Sequence, residues 1–224
     1  IENYQRAPQR QAIRQLALPQ FQRVRAKLLA LSQPPSQTLR DFTQRENAIH
    51  RYARTIALAR QGKRQQAEQA LAPLRQAAPH DIFYQELQAQ LALDHGDLKP
   101  ALATFLQLTN QMPEQWLFRL QLAATYLALH NPAAALPHLQ RLAQRFTDWP
   151  GIHGRLGVAY GQLNDQPQAH MALAQEAILE ERWRDAKIHL NTAQQALPDD
   201  APANLRGRLQ LLQETLTAAQ EEAS

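Results

Sequence analysis

The strongest constraint on this chain is a repeat with a period of 34 residues. The segment from Tyr52 to Pro79 reads as two short amphipathic helices broken near Gln61-Gly62-Lys63, with Ala67, Leu71 and Leu74 on the second helix and Pro79 ending it. A shift of 34 positions returns the pattern as Gly96, Ala101, Phe105, Leu108 and Pro113. It returns again as His130, Ala135, Leu139 and Leu142. It returns once more as Asn164, Ala169 and Leu173, with Leu156-Gly157 and Tyr160 matching Leu122-Ala123 and Tyr126 on the first helix. Units thus start near Ala48, Ile82, Trp116 and Pro150 with no insertion between them. A small residue in the first helix (Ala89, Ala123, Gly157) and an alanine early in the second (Ala67, Ala101, Ala135, Ala169) let antiparallel helices approach closely, while larger residues bury against the next unit. Pro100, Pro132 and Pro167 fall in first turns of second helices, where a missing N–H costs nothing. Pro73 and Pro137 fall inside second helices and predict local kinks.

Helix pairs at this spacing and with this punctuation are the tetratricopeptide pattern. The expected fold class is therefore all-α: a tetratricopeptide-repeat helical solenoid of antiparallel helix pairs, with extra N-terminal helices and a C-terminal capping helix. Composition agrees, since 7 glycines stand in 224 residues beside an excess of Leu, Ala, Gln and Arg. The expected organisation is a basic helical segment over 1–47, repeats over 48–198 and a capping helix with its tail over 199–224. The units are expected near 48–81, 82–115, 116–149 and 150–181. The phase then slips by half a period: Trp183-Arg184-Asp185-Ala186, Leu190, Ala193 and Pro198 form a turn and second helix whose unit starts near Pro167. The helix from Gln168 to Glu180 serves two units, with Ala169 and Leu173 for the one behind and Ala174 and Ala177 for the one ahead. This half-step predicts a bend or closure of the array. The last helix carries Leu205, Leu209, Leu212 and Leu216 at helical spacing. Before the repeats, Pro19 to Leu31 is a helix with Phe21, Val24, Leu28 and Leu31 on one face, ended by Ser32-Gln33-Pro34-Pro35. Residues 1–17 are helical with few apolar side chains, Ile13, Leu16 and Leu18 among those at this end, and need a partner surface.

Charge is divided along the chain. Residues 1–64 hold 13 Lys/Arg and 3 Asp/Glu, a net of +10, while residues 65–224 hold 11 and 17, a net of −6. A basic segment meets nucleic acid, an anionic membrane surface or an acidic face of its own protein. Arg6, Arg10, Arg14, Arg23 and Arg25 are spaced along helical turns without interleaved aromatics, which favours a solvated helix face over nucleic-acid binding. No apolar run approaches a membrane span. The absence of cysteine removes thiol nucleophiles and thiolate zinc sites. The chain starts at Ile1 without an initiator Met or signal-peptide pattern, as expected of a processed form or a piece of a longer protein.

The run Phe21-Gln22-Arg23-Val24-Arg25-Ala26-Lys27-Leu28, the repeat ending Leu74 to Pro79, and Ala169-His170-x-Ala172-x-Ala174 leading to Trp183-x-Asp185-Ala186 resemble the C-terminal repeat domain of bacterial M48-family zinc metallopeptidases of the BepA (YfgC) type. Ile1-Glu2-x-x-x-Arg6-Ala7 resembles the stretch that follows the protease domain in that family. Two departures stand out: the family usually has Ala-Glu where this chain has Ala174-Gln175, and this chain has no protease domain. The resemblance implies a non-catalytic protein–protein interaction domain in the periplasm, which recruits outer-membrane protein clients or the assembly machinery and contacts its own protease domain. A free-standing adaptor in envelope or pilus assembly is the alternative, and a basic nucleic-acid-binding module a weaker one. The zinc chemistry of that class needs His-Glu-x-x-His on one helix, so that two imidazoles face the metal and the Glu polarises its water. None of the 8 histidines has that surround. No catalytic or metal residue and no cofactor is therefore expected here, with zinc confined to the absent protease domain. His130, His138, His153, His170 and His189 read as surface or satisfied core residues. Gly151-x-x-Gly154-x-x-Gly157-x-x-x-Gly161 mimics a phosphate loop but lies within a repeat helix and lacks the Gly-Lys-Ser/Thr ending, so close helix packing is expected.

Solenoids of this kind present a concave wall of first helices on which peptide partners lie. The inward positions expected are Tyr52, Ile56, Phe83, Glu86, Gln90, Leu117, Leu120, Gln121, Ala124, Arg155 and Val158. This lining is mostly apolar with Arg155 its single basic residue, which suits an extended or helical protein segment better than a C-terminal carboxylate.

Overall fold

The computed structural model describes residues 21–43 and 47–222. The expectations for residues 1–20, including the helicity of 1–17 and the family resemblance at Ile1 to Ala7, lie outside the described residues. Among those described, the secondary structure is helical, with no strand: α1 (21–32), α2 (Pro35–Asp41), α3 (Ala48–Arg60), α4 (Arg64–Ala77), α5 (Ile82–Asp94), α6 (Leu98–Gln111), α7 (Trp116–Ala128), α8 (Pro132–Arg145), α9 (Pro150–Gln162), α10 (Gln166–Leu179), α11 (Trp183–Ala196) and α12 (Ala203–Glu222).

The period is set by turn and cap chemistry. The break between the two helices of each unit needs one left-handed residue, and positive φ recurs at Gly62, Gly96, His130 and Asn164, each 34 residues after the last. Glycine meets this demand without strain in the first two units. The next positive φ falls at Glu181, only 17 residues after Asn164, and marks the half-period slip in the backbone itself. First helices start behind side-chain caps where the sequence supplies them: Asn47 accepts from His50 N at 2.8 Å and Asp81 from Phe83 N at 3.0 Å. Second helices do likewise, Asn131 accepting from Ala134 N at 3.3 Å and Asp165 from Gln168 N at 3.2 Å.

The described chain forms two compact units that divide between Asp97 and Leu98, inside the second repeat. In the first, Tyr52, Ala53, Ile56, Ala67, Leu71, Leu74, Tyr84, Leu87 and Leu91 make one core with Ala26 and Ala30 of α1. In the second, Ala123, Ala135, Leu139, Leu156 and Ala169 pack α7 to α10 together, and Met171, Ala174, Ala177, Leu190, Leu209, Leu212 and Leu216 pack α10 against α11 and α12. α10 is therefore buried on two sides, as a helix shared by two units must be. The glycine run lies on α9, where a Cβ at Gly157 would come within 2.7 Å of the Leu173 side chain, so this glycine permits close helix approach.

The helix before the repeats packs by its small side chains. The predicted helix before the repeats is present as α1, but Phe21 (65% exposed), Val24, Leu28 (63%) and Leu31 face solvent. Its buried side is Ala26 and Ala30. Small residues win because α1 lies flat across α3 and α5, where larger side chains would hold it away.

Candidate functional site

In the first unit the inner face of the first helices is already occupied. α1 runs from the N-terminal end of α5 to the C-terminal end of α3. Arg23 pairs with Asp81, the N-cap of α5, and its guanidinium lies 5.7 Å from the ring centres of both Phe83 and Tyr84. One turn on, Lys27 Nζ reaches the Glu86 carboxylate oxygens at 2.5 and 2.6 Å. At the other end, Arg60 donates to the carbonyls of Ala30 at 2.6 Å and Gln33 at 2.7 Å, satisfying the last turn of α1.

This changes the standing of several inward positions. Tyr52 and Ile56 are buried in the core of the first unit and are not open to a partner. The Tyr52 ring packs edge-on to Phe83 with centres 6.2 Å apart, and burial, helped by the Glu86 charge, pushes its hydroxyl pKa well above the usual range. Phe83 is half-buried beneath Arg23 and Glu86 is engaged by Lys27, while Gln90 lies at the edge and donates to Asp94 at 2.7 Å. Leu120, expected inward, is also buried, in the core of the second unit.

Among the described residues, no helix seals the equivalent face of the second unit as α1 seals the first. Positions 68 residues on from Ala53, Ile56, Leu87 and Gln90 are Gln121, Ala124, Arg155 and Val158. Ala53 is fully buried and Ile56 nearly so, whereas Gln121, Ala124 and Arg155 are half-buried and Val158 is 48% exposed. Leu117, one turn before Gln121, is half-buried. The N-terminal ends of α7 and α9 are held by Trp116, Phe146 and Trp149, whose rings meet edge to face at 5.0 to 5.9 Å. Arg155 Nη1 donates to the Gly151 carbonyl at 2.9 Å.

One residue of this face escaped the sequence pattern because it comes from a second helix. The position equivalent to Glu86 is Gly154, and the carboxylate of Glu176 on α10 fills the space a Cβ there would need. Desolvation raises the Glu176 pKa, as does the neighbouring Glu180. Arg182 Nη2 stands 4.0 Å from it, while the same guanidinium is bonded to Glu180 and Asp185 at 2.8 Å. A glycine opposite a glutamate, 22 residues apart on antiparallel helices, was the available signal.

The histidines form no metal-binding group: no set of three or more His, Cys, Asp or Glu side chains among the described residues is placed to hold an ion. His153 Nε2 lies 3.1 Å from the Thr147 carbonyl, His138 stacks on Tyr126, and His170 and His189 face each other through Nδ1 atoms 3.0 Å apart. No helix among the described residues is long and apolar enough to cross a membrane.

No family model and no curated protein matches the chain. Among solved structures it is similar to a thermophilic TPR protein of Thermus thermophilus, at 19% identity and a TM-score of 0.50, the match covering 74% of this chain and 98% of that one. At this identity the likeness is one of fold, and with the 34-residue recurrence of helices and turns it makes the chain a tetratricopeptide-repeat protein by architecture.

Proposed function

We propose that the chain is a non-catalytic protein-interaction module whose working surface is the open face of α7 and α9. The observation that carries this reading is the contrast between equivalent positions: Ala53 and Ile56 are sealed beneath α1, whereas among the described residues no helix covers Gln121, Ala124, Arg155 and Val158 in the same way. A mixed apolar and polar face on a rigid helix pair suits a protein segment. The basic residues of the N-terminal quarter are engaged within the chain: Arg23 and Lys27 turn inward to Asp81 and Glu86, while Arg60 binds the carbonyls of Ala30 and Gln33 and Arg64 pairs with Glu68 and Asp97 at the surface. That pattern supports a self-stabilising role for the charge over nucleic-acid binding.

The finer reading follows the sequence resemblance: the module belongs to a periplasmic M48-type metallopeptidase and holds outer-membrane protein clients or assembly machinery for the protease. A photo-crosslinking residue at Val158 tests the surface, with Ile188 on α11, also exposed, as control. The expected result is a defined protein adduct from position 158 and none from 188; equal labelling at both would remove the surface assignment. The full reading frame tests the parent, since an upstream signal peptide and His-Glu-x-x-His are required of the metallopeptidase.

A further inference from the structure

The first unit contains a worked example of what this face accepts. A helix crosses two first helices there, with alanines at i and i+4 (Ala26, Ala30) against the wall and basic residues at i and i+4 (Arg23, Lys27) reaching carboxylates at Asp81 and Glu86. The second unit repeats the wall, with no such cover among the described residues, and supplies the carboxylate by another route, since Glu176 occupies the place over Gly154 that corresponds to Glu86. The order of contacts along α9 and α10, Gly157 with Leu173 and Gly154 with Glu176, shows that the helices are antiparallel. Glu180, one turn beyond Glu176 on α10, therefore lies toward the N-terminal end of α9, the end at which Asp81 receives Arg23 in the first unit. Glu176, Glu180 and Asp185 share the guanidinium of Arg182.

We infer that the open face of α7 and α9 takes an amphipathic helix of a protein partner, laid across it as α1 lies across α3 and α5, whose lysine or arginine binds Glu176 and whose second basic residue, one turn away, meets Glu180. The inference rests on the reading of this face as a protein-binding surface and names the partner's chemistry. Small residues on the incoming helix are required because Val158 and Ala124 set its approach distance. Arg155 stands where Leu87 does in the first unit, and it is already engaged, donating to the Gly151 carbonyl at 2.9 Å beside the Glu176 charge.

The test uses a labelled synthetic peptide of residues Phe21 to Pro34 as the probe, titrated against the full chain by fluorescence anisotropy. Binding is expected, at least fivefold weaker to Glu176→Gln and abolished by Val158→Asp, with Glu86→Gln leaving it unchanged. A peptide carrying Lys27→Gln should lose the same factor against the unchanged protein and nothing further against Glu176→Gln, which identifies the coupled pair. Thermal melts confirm that each protein variant is folded. Binding that responds to Val158→Asp but not to Glu176→Gln overturns the charge anchor and leaves the surface standing. Binding that responds to Glu86→Gln instead places the peptide on the first unit and overturns the inference, as does no binding. The crosslinking experiment at Val158 judges the surface itself.

Discussion

Lys27 Nζ lies 2.5 and 2.6 Å from the two carboxylate oxygens of Glu86, joining α1 to α5. Both side chains are largely withdrawn from water, at 20% and 11% exposure, so the pair is more than a solvated surface contact. Its removal from one side is costly because the other charge stays behind. Lys27→Ala should destabilise the protein by about 1–3 kcal/mol. Lys27→Ala with Glu86→Leu should recover part of that loss, because no buried carboxylate is then left unpaired. Urea denaturation of the singles and the double checks this, and a double variant that loses the sum of the two singles would show that the pair is uncoupled.

The orientation of α1 gives a second expectation. Leu28→Glu, on the exposed face, should change stability by less than about 0.5 kcal/mol. Ala30→Leu, on the fully buried face, should cost about 1–3 kcal/mol through overpacking against α3 and expose the α1 amides to hydrogen exchange. The opposite order of effects would restore the face that hydropathy alone selects.

That face illustrates what the sequence makes legible. Period, helix order and turn positions are written in local chemistry, because each unit repeats an alanine early in its second helix and the same turn position, with helices starting at Ala48, Ile82, Trp116 and Pro150. What covers a face is not local. Phe21, Val24, Leu28 and Leu31 are the stripe with the greater hydropathy, yet Ala26 and Ala30 are buried, because close approach and the reach of Arg23 and Lys27 to Asp81 and Glu86 decide the packing. Tyr52 and Leu120 fall on the inward wall by repeat numbering and in the core by structure, for a related reason. Repeat numbering gives the turn of the helix a residue sits on, and whether that turn meets solvent depends on neighbours outside the repeat. Glu176 is invisible to the pattern because the notch it fills belongs to Gly154 on another helix.

The turn positions yield a third prediction. Gly62 and Gly96 hold the left-handed conformation freely, whereas Glu181 holds it at φ 57° and His130 at φ 53°. A side chain with a Cβ is strained there. Glu181→Gly and His130→Gly should each stabilise the second unit by about 1 kcal/mol, visible as a higher urea midpoint with unchanged slope. A loss of stability in both would mean that the side chains make contacts stronger than the backbone strain they impose.

The last prediction is a pH dependence with two opposed contributions in the second unit. His138, His153 and His189 all have pKa values lowered from the ordinary 6.5, in each case by desolvation first. Arg119 adds to the effect at His138 and His170 at His189. For His153 the geometry gives the reason: Nε2 engages the Thr147 carbonyl while buried Nδ1 has no partner among the described residues, so a second proton has nothing to bond to. The folded state therefore binds protons less readily than the unfolded chain. The stability these histidines contribute is fully present above about pH 6.5 and is lost as the pH falls through their lower folded values. Glu176 runs the other way. Its pKa is raised from 4.5, so its ionised form is the disfavoured one in the folded state, and protonating it returns stability as the pH falls through that raised value. The urea midpoint should therefore decline on acidification from pH 7. The decline should be shallower in His153→Gln, whose amide can still donate to Thr147, and steeper in Glu176→Gln, which has lost the compensating proton. Parallel curves for all three proteins would exclude both groups as the source of the pH response.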